Sequence, residues 1–346
     1  MKPSLVITSI AGLILALAVC IASAQKPASS KHPYASDKPM PEPKIFGEGV
    51  ISTPEDELNA AFTPDGNTVF FTRLFPGNKL GVILVSHFKN GQWQTPEVAS
   101  FSGQATDYDP FVTRDGSKLF FCSNRDENGK AKGDFDIWYV EKTATGWGTP
   151  KNVGAPVNSK NNDYYPSVAA DGTLYFSSNR PGGKGGYDVY RSKLVDGKYS
   201  EPENLGEGVN TPTNEIDNYI SPDQRFLVFA AYNRPDDLGG GSGDLYISFN
   251  ENGVWSKAKN LGPKINSSAR EFCPIGSPDG KYFFFTSARG ALDKPLDHPL
   301  KSYREVTALM QSLLNGRTNV YQVDLSELGV NGNMPTNTDS RKVSQK

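Results

Sequence analysis

Histidine and cysteine are nearly missing, three of each among 346 residues. His32, His87 and His298 stand far apart, and no spacing pairs two of them, so no metal site is expected. Cys20, Cys122 and Cys273 are too few for a disulfide framework. A surplus of positive charge is missing too: 36 Lys and Arg against 38 Asp and Glu leave a formal charge of -2. That excludes nucleic acid as a partner, because nothing is left over to neutralise phosphates. No helix-opening Gly-rich loop is present either, since PGGKGGYD (Pro181 to Asp188) joins two strand-like runs, and no nucleotide or other cofactor is expected.

Long apolar runs are confined to the start. Lys2 precedes an apolar stretch from Leu5 to Ile21, and small residues Ala22-Ser23-Ala24 follow. This three-part pattern predicts a secretory signal over residues 1–24, cut after Ala24, with no transmembrane span in the mature chain. A lipid-bearing Cys20 is the alternative, opposed by the bulk of Val19 before it, and an uncleaved anchor is a third. The expected location is the periplasm or the cell surface. Residues 25–44, with Pro27, Pro33, Pro39, Pro41 and Pro43, predict a flexible spacer.

What the chain has in quantity is turn and strand material: 34 Gly, 25 Pro, 19 Phe and 15 Tyr. These are ordered as a repeat of about fifty residues. TPDG (Thr63 to Gly66), TRDG (Thr113 to Gly116), AADG (Ala169 to Gly172), SPDQ (Ser221 to Gln224) and SPDG (Ser277 to Gly280) mark five tight hairpins. Gln224 replaces glycine once, which predicts a different turn there. Each turn leads into an apolar strand such as TLYFSSNR, then a third strand such as YDVYRS. A fourth carries Trp93, Trp147, Tyr199 or Trp255. The fifth repeat lacks its fourth strand, and Ile45 to Val50 copies the missing piece at the other end. The expectation is an all-β, five-bladed β-propeller of four-stranded blades over residues 45–326, closed by the N-terminal strand, which removes open edges. A helical insertion is expected at about residues 291–316, with an apolar stripe of Tyr303, Val306, Leu309, Met310, Leu313 and Leu314 packed on the propeller. Residues 327–346 are expected to be a disordered tail.

The SPDG turns, the SSNR strand end, the YDVY strand and the NLG tail resemble the TolB-type, WD-like β-propeller repeats of exported bacterial cell-envelope proteins. The resemblance spans about Ile45 to Leu325. It implies a binding or scaffolding role toward an envelope protein or a glycan, without implying a reaction.

Eight residues before each turn Asp stands an acid: Glu57, Asp107, Asp163, Glu215 and Glu271. Each second strand ends in an Arg: Arg73, Arg125, Arg180, Arg234 and Arg289. One acid and one guanidinium per repeat predict structural pairs, because buried charges occur paired. Asp109 and Asp217, two residues further on, do not recur in the other repeats and are the better site candidates. With Tyr108, Tyr164, Tyr165 and Tyr219 they form the expected binding set. The competing expectation is a carbohydrate-active hydrolase using Asp109, Asp217 and Glu215.

Overall fold

Each Asp-Gly turn joins the two innermost strands of a blade. The computed structural model describes residues 32–330 of the chain. Blade 1 runs Asp56–Phe62, Thr68–Leu74 and Gly81–Lys89, and blade 2 runs Asp107–Val112, Lys118–Arg125 and Ala131–Thr143. Blade 3 runs Asp163–Val168, Leu174–Ser178 and Asp188–Ser192, and blade 4 runs Asn214–Ile220, Phe226–Tyr232 and Asp244–Glu251. Blade 5 runs Glu271–Gly276, Tyr282–Ser287 and Asn319–Asp324. All neighbours are antiparallel. The architecture is a five-bladed β-propeller, with the first strand of every blade nearest the axis.

The outermost strand of blades 1 to 4 is a two-residue segment: Glu97–Val98, Lys151–Asn152, Glu203–Asn204 and Lys259–Asn260. The aromatic segment expected to be the fourth strand is separate. Gln92–Trp93 and Val254–Trp255 fold back on the end of the third strand as small hairpins before the chain turns to the edge. In blade 5 the edge is Lys44–Ile45, paired with Asn319–Asp324, so the first described strand closes the ring.

The second strands carry the core. Phe70, Phe71, Phe121, Phe176, Phe229 and Phe283 are all but fully buried between neighbouring blades. Each such side chain removes enough apolar surface from water to contribute about 1.5–3 kcal/mol.

Four expectations are corrected. Residues 32–44 are no loose spacer, because Tyr34 and Met40 are buried. The Tyr34 ring packs edge-on against Phe62 and Tyr282, and the Met40 amide donates to Asp324 Oδ2 at 2.7 Å. Residues 327 and 328 are no disordered tail, since Leu328 is buried in the short helix Leu325–Leu328; the signal expected over residues 1–24, the start of the expected spacer and residues 331–346 lie outside the described residues. Gln224 keeps the geometry of its sister turns, with φ 57° against 73° for Gly66. Its amide pays back the strain by bonding Asp171 Oδ2 and the Tyr175 hydroxyl, both at 2.8 Å. The α-helix Tyr303–Met310 forms, capped by Ser302, but none of its residues is buried. Most of its stripe is exposed, Tyr303 86% and Met310 69%, while Leu309 and Leu313 are half-buried.

Candidate functional site

The five repeat acids sit at the start of the innermost strands, where the Arg at or just past the end of the second strand can reach them. Arg73–Glu57, Arg125–Asp107, Arg180–Asp163, Arg234–Glu215 and Arg289–Glu271 approach at 2.7, 2.6, 2.8, 2.9 and 3.1 Å. Every one of these acids is wholly buried. Hydroxyls fill the remaining lone pairs: Glu215 Oε1 accepts from both Thr211 and Thr213. Each guanidinium except that of Arg73 also donates to a backbone carbonyl of the preceding loop, as Arg125 does to Phe101 at 2.8 Å. With charge and lone pairs satisfied, the five pairs brace the blades.

Immediately after each acid the strand bulges. The pairing register breaks between Leu58 and Ala61, Tyr108 and Phe111, Tyr164 and Ser167, Ile216 and Tyr219, and Phe272 and Ile275. The bulge residue takes a left-handed conformation in every blade: Asn59 (φ 61°), Asp109 (56°), Tyr165 (51°), Asp217 (55°) and Cys273 (50°). Asn and Asp accept that region readily, while Tyr165 and Cys273 hold it under strain. The bulge re-aims two consecutive side chains. The residue before it lines the wall of an axial pocket of about 320 Å³: Leu58, Tyr108, Tyr164, Ile216 and Phe272, one from each blade. Asp109, Asp217 and Cys273 line it deeper, and Arg270 and Asp56 lie nearer the rim.

The floor is closed by contacts between blades, one of them across the ring. The Tyr165 hydroxyl donates to the Pro274 carbonyl at 3.0 Å, and Asn59 Nδ2 donates to the Pro110 carbonyl at 3.0 Å. The opposite mouth of the axis, lined by Phe62, Val112, Val168, Ile220 and Tyr219, holds only about 60 Å³. The pocket is thus a cup open on one face.

Asp109 and Asp217 are each 7% exposed. Among the described residues neither has a Lys or Arg nitrogen at ion-pair distance, unlike the five repeat acids. Asp109 accepts from the Cys122 thiol at 3.2 Å, and Cys273 Sγ lies 3.9 Å from its other oxygen. Cysteines from blades 2 and 5 therefore converge on one carboxylate, and both remain free thiols. Burial, reinforced by the charge of Asp217, pushes Asp109 up to about 8. Burial also pushes Asp217 up, to about 6, opposed by Arg270 and the Cys273 amide. Arg270 itself is held by the Tyr232 hydroxyl at 2.7 Å and lies 3.8 Å from the centre of the Phe272 ring.

Of the six residues the sequence nominated for binding, Tyr108, Asp109, Tyr164 and Asp217 share this pocket. Tyr165 and Tyr219 do not line it; both are buried, Tyr165 in the floor and Tyr219 at the narrow opposite mouth. Glu215 does not line the pocket, being engaged by Arg234 and the two threonines. Arg270, Phe272 and Cys273 went unrecognised in the sequence. The signal was the register itself, because the position after each repeat acid is the wall position in every blade. Among the described residues no three His, Cys, Asp or Glu side chains come together as a metal site, and no helix is long and apolar enough to cross a membrane.

No family model matches the chain, and no curated protein matches it. Among solved structures it is similar to TolB from Acinetobacter baumannii, with 17% identity, a TM-score of 0.44, and 78% of this chain and 54% of that one covered. The chain thus spans about half the length of that protein. It is also similar to an α-L-arabinofuranosidase from Podospora anserina, at 12% identity and TM-score 0.46, covering 83% of this chain and 94% of that one. An α-L-arabinofuranosidase from Lactobacillus brevis is similar at 14% identity and TM-score 0.46, over 80% and 92% of the two chains.

Proposed function

We propose that this chain is an exported binding propeller that docks another macromolecule of the cell envelope on the face bearing the axial pocket. One observation carries the reading. The loops between second and third strands all emerge on that face, and they hold a concentration of exposed apolar side chains: Phe75 in blade 1, Leu238 in blade 4, and Leu292, Tyr303 and Met310 in the blade 5 insertion. Exposed apolar surface beside a pocket marks an interaction site, because leaving it in water is unfavourable. The export signal expected over residues 1–24 supports the location.

A photo-crosslinking amino acid placed at Tyr303 or Met310, against Val254 among the hairpins of the other face, tests this in cells. Discrete crosslinked products are expected from the first two positions alone. Equal labelling from Val254, or none from any position, overturns the reading.

Glycan hydrolysis is a second reading, favoured by the carboxyl pair in the pocket. Asp109, protonated near neutrality, would serve as acid and Asp217 as base. Turnover of a glycan library that disappears in Asp217→Asn supports it; no turnover of any glycan removes it.

A further inference from the structure

We propose that the axial pocket receives a cationic side chain, a guanidinium or an ammonium, presented by the protein that docks on this face. The proposal rests on the docking reading above and adds the chemistry at its centre. Each of the five repeat acids, Glu57 through Glu271, already has an arginine of its own blade, and Asp56 at the rim has Arg317 at 3.4 Å. Among the described residues Asp109 and Asp217 have no Lys or Arg at ion-pair distance, although each is only 7% exposed and lines the cup. An unpaired buried carboxylate is a costly arrangement, and a cation entering the cup relieves it.

The walls suit the same guest. Tyr108, Tyr164 and Phe272 border the cup, and aromatic faces attract a cation through their quadrupole. Arg270 demonstrates the mode within the molecule, since its guanidinium lies over Phe272 at 3.8 Å. Arg270 eases the burial of the pair through its charge but lies beyond ion-pair distance of both carboxyls, its Nε and Nη2 donating to the Tyr232 hydroxyl at 3.0 and 2.7 Å. A volume of about 320 Å³ holds one side-chain head and excludes a folded domain.

A proton signature follows. The groups facing the pair are the thiols of Cys122 and Cys273, the phenols of Tyr108, Tyr164, Tyr165 and Tyr232, Arg270, and Asp56 at the rim. Burial pushes the thiols and phenols upward, so they stay neutral, and Arg270 stays charged. Between about pH 6 and about pH 8 the titrating pair is therefore Asp109 and Asp217. A cation favours their ionised forms, so its binding expels a proton and tightens as pH rises through that window, by up to about tenfold per pH unit.

The experiment is calorimetric titration of the whole mature protein with N-acetyl-arginine methylamide and N-acetyl-lysine methylamide, in buffers of different ionisation enthalpy. N-acetyl-glutamine methylamide and calcium chloride serve as neutral and inorganic comparisons. At least one cationic probe is expected to bind at one site with proton release, and the glutamine probe is expected not to bind. Asp217→Asn is expected to weaken binding at least about tenfold, and Asp109→Asn to abolish the proton release. Both variants should fold, because Asn59 holds the same bulge position in blade 1 with φ 61°. The proposal is overturned by no binding of either cationic probe, by equal binding of the glutamine probe, by binding indifferent to Asp217→Asn, or by calcium binding that displaces the probes. Failure of the probes with crosslinking at Tyr303 intact sinks the cationic guest and leaves the docking face standing. Loss of crosslinking with probe binding intact does the reverse.

Discussion

Ile45 stands opposite Tyr321 in antiparallel register, so the first described strand and the last strand of the ring share one sheet. Phe46 continues the seam, its amide donating to the Val320 carbonyl at 2.8 Å and its ring 5.1 Å from that of Phe284. A chain beginning at Gly47 is expected to expose the edge of Asn319–Asp324 and to self-associate. Size-exclusion chromatography with light scattering should show species above the monomer mass if the intact chain is monomeric. A truncated chain as monodisperse as the intact one would show that the seam is dispensable.

The braces make a separate prediction. Arg125 Nη2 lies 2.6 Å from Asp107 Oδ1, with the Asp107 side chain wholly buried. Arg125→Met leaves that carboxylate without a countercharge and is expected to cost about 3–5 kcal/mol. Adding Asp107→Asn should recover part of the loss, since the two sites share one interaction. Urea denaturation of the four combinations measures both quantities.

Stability should also depend on pH through the axial pair. Both carboxyls titrate higher in the fold than the ~3.9 of an unfolded aspartate, at about 8 for Asp109 and about 6 for Asp217. Their contribution is fully present at pH below the unfolded value and is lost as pH rises through the folded values. Asp109→Asn cannot ionise, so its urea midpoint should fall less than that of the wild type between about pH 5 and about pH 8.5. Parallel curves for the two proteins would contradict the assignment.

Gly185 sits where a side chain has no room. A Cβ built there would lie 1.8 Å from the Thr213 carbonyl oxygen, and the Gly185 amide donates to Asp188 Oδ1 at 2.9 Å. Gly185→Ala must therefore move backbone and is expected to destabilise by about 2–4 kcal/mol. Gly182, with open space around its Cβ position, has φ 90° and serves as the comparison for conformational strain alone. The glycines of PGGKGGYD answer to packing and turn geometry between blades.

The ring is written locally along the chain. Five hairpin turns, four Asp-Gly and one Asp-Gln, set the number of blades, and the copy of the edge strand at Ile45 set the closure, because hairpin chemistry and strand alternation are local properties. The recurring acid and arginine were legible for the same reason. The pocket arises only where the blades converge. Tyr108 and Tyr165 look alike in the sequence, but one precedes a bulge and lines the cup, whereas the other occupies a bulge and bonds across the ring to Pro274. Asp109 and Cys273 lie 164 positions apart and meet only because the blades converge. Tyr303, Val306 and Met310 have a helical period whether buried or bare; among the described residues no surface covers them. Periodicity records which side of an element is apolar, and convergence in space records what that side meets.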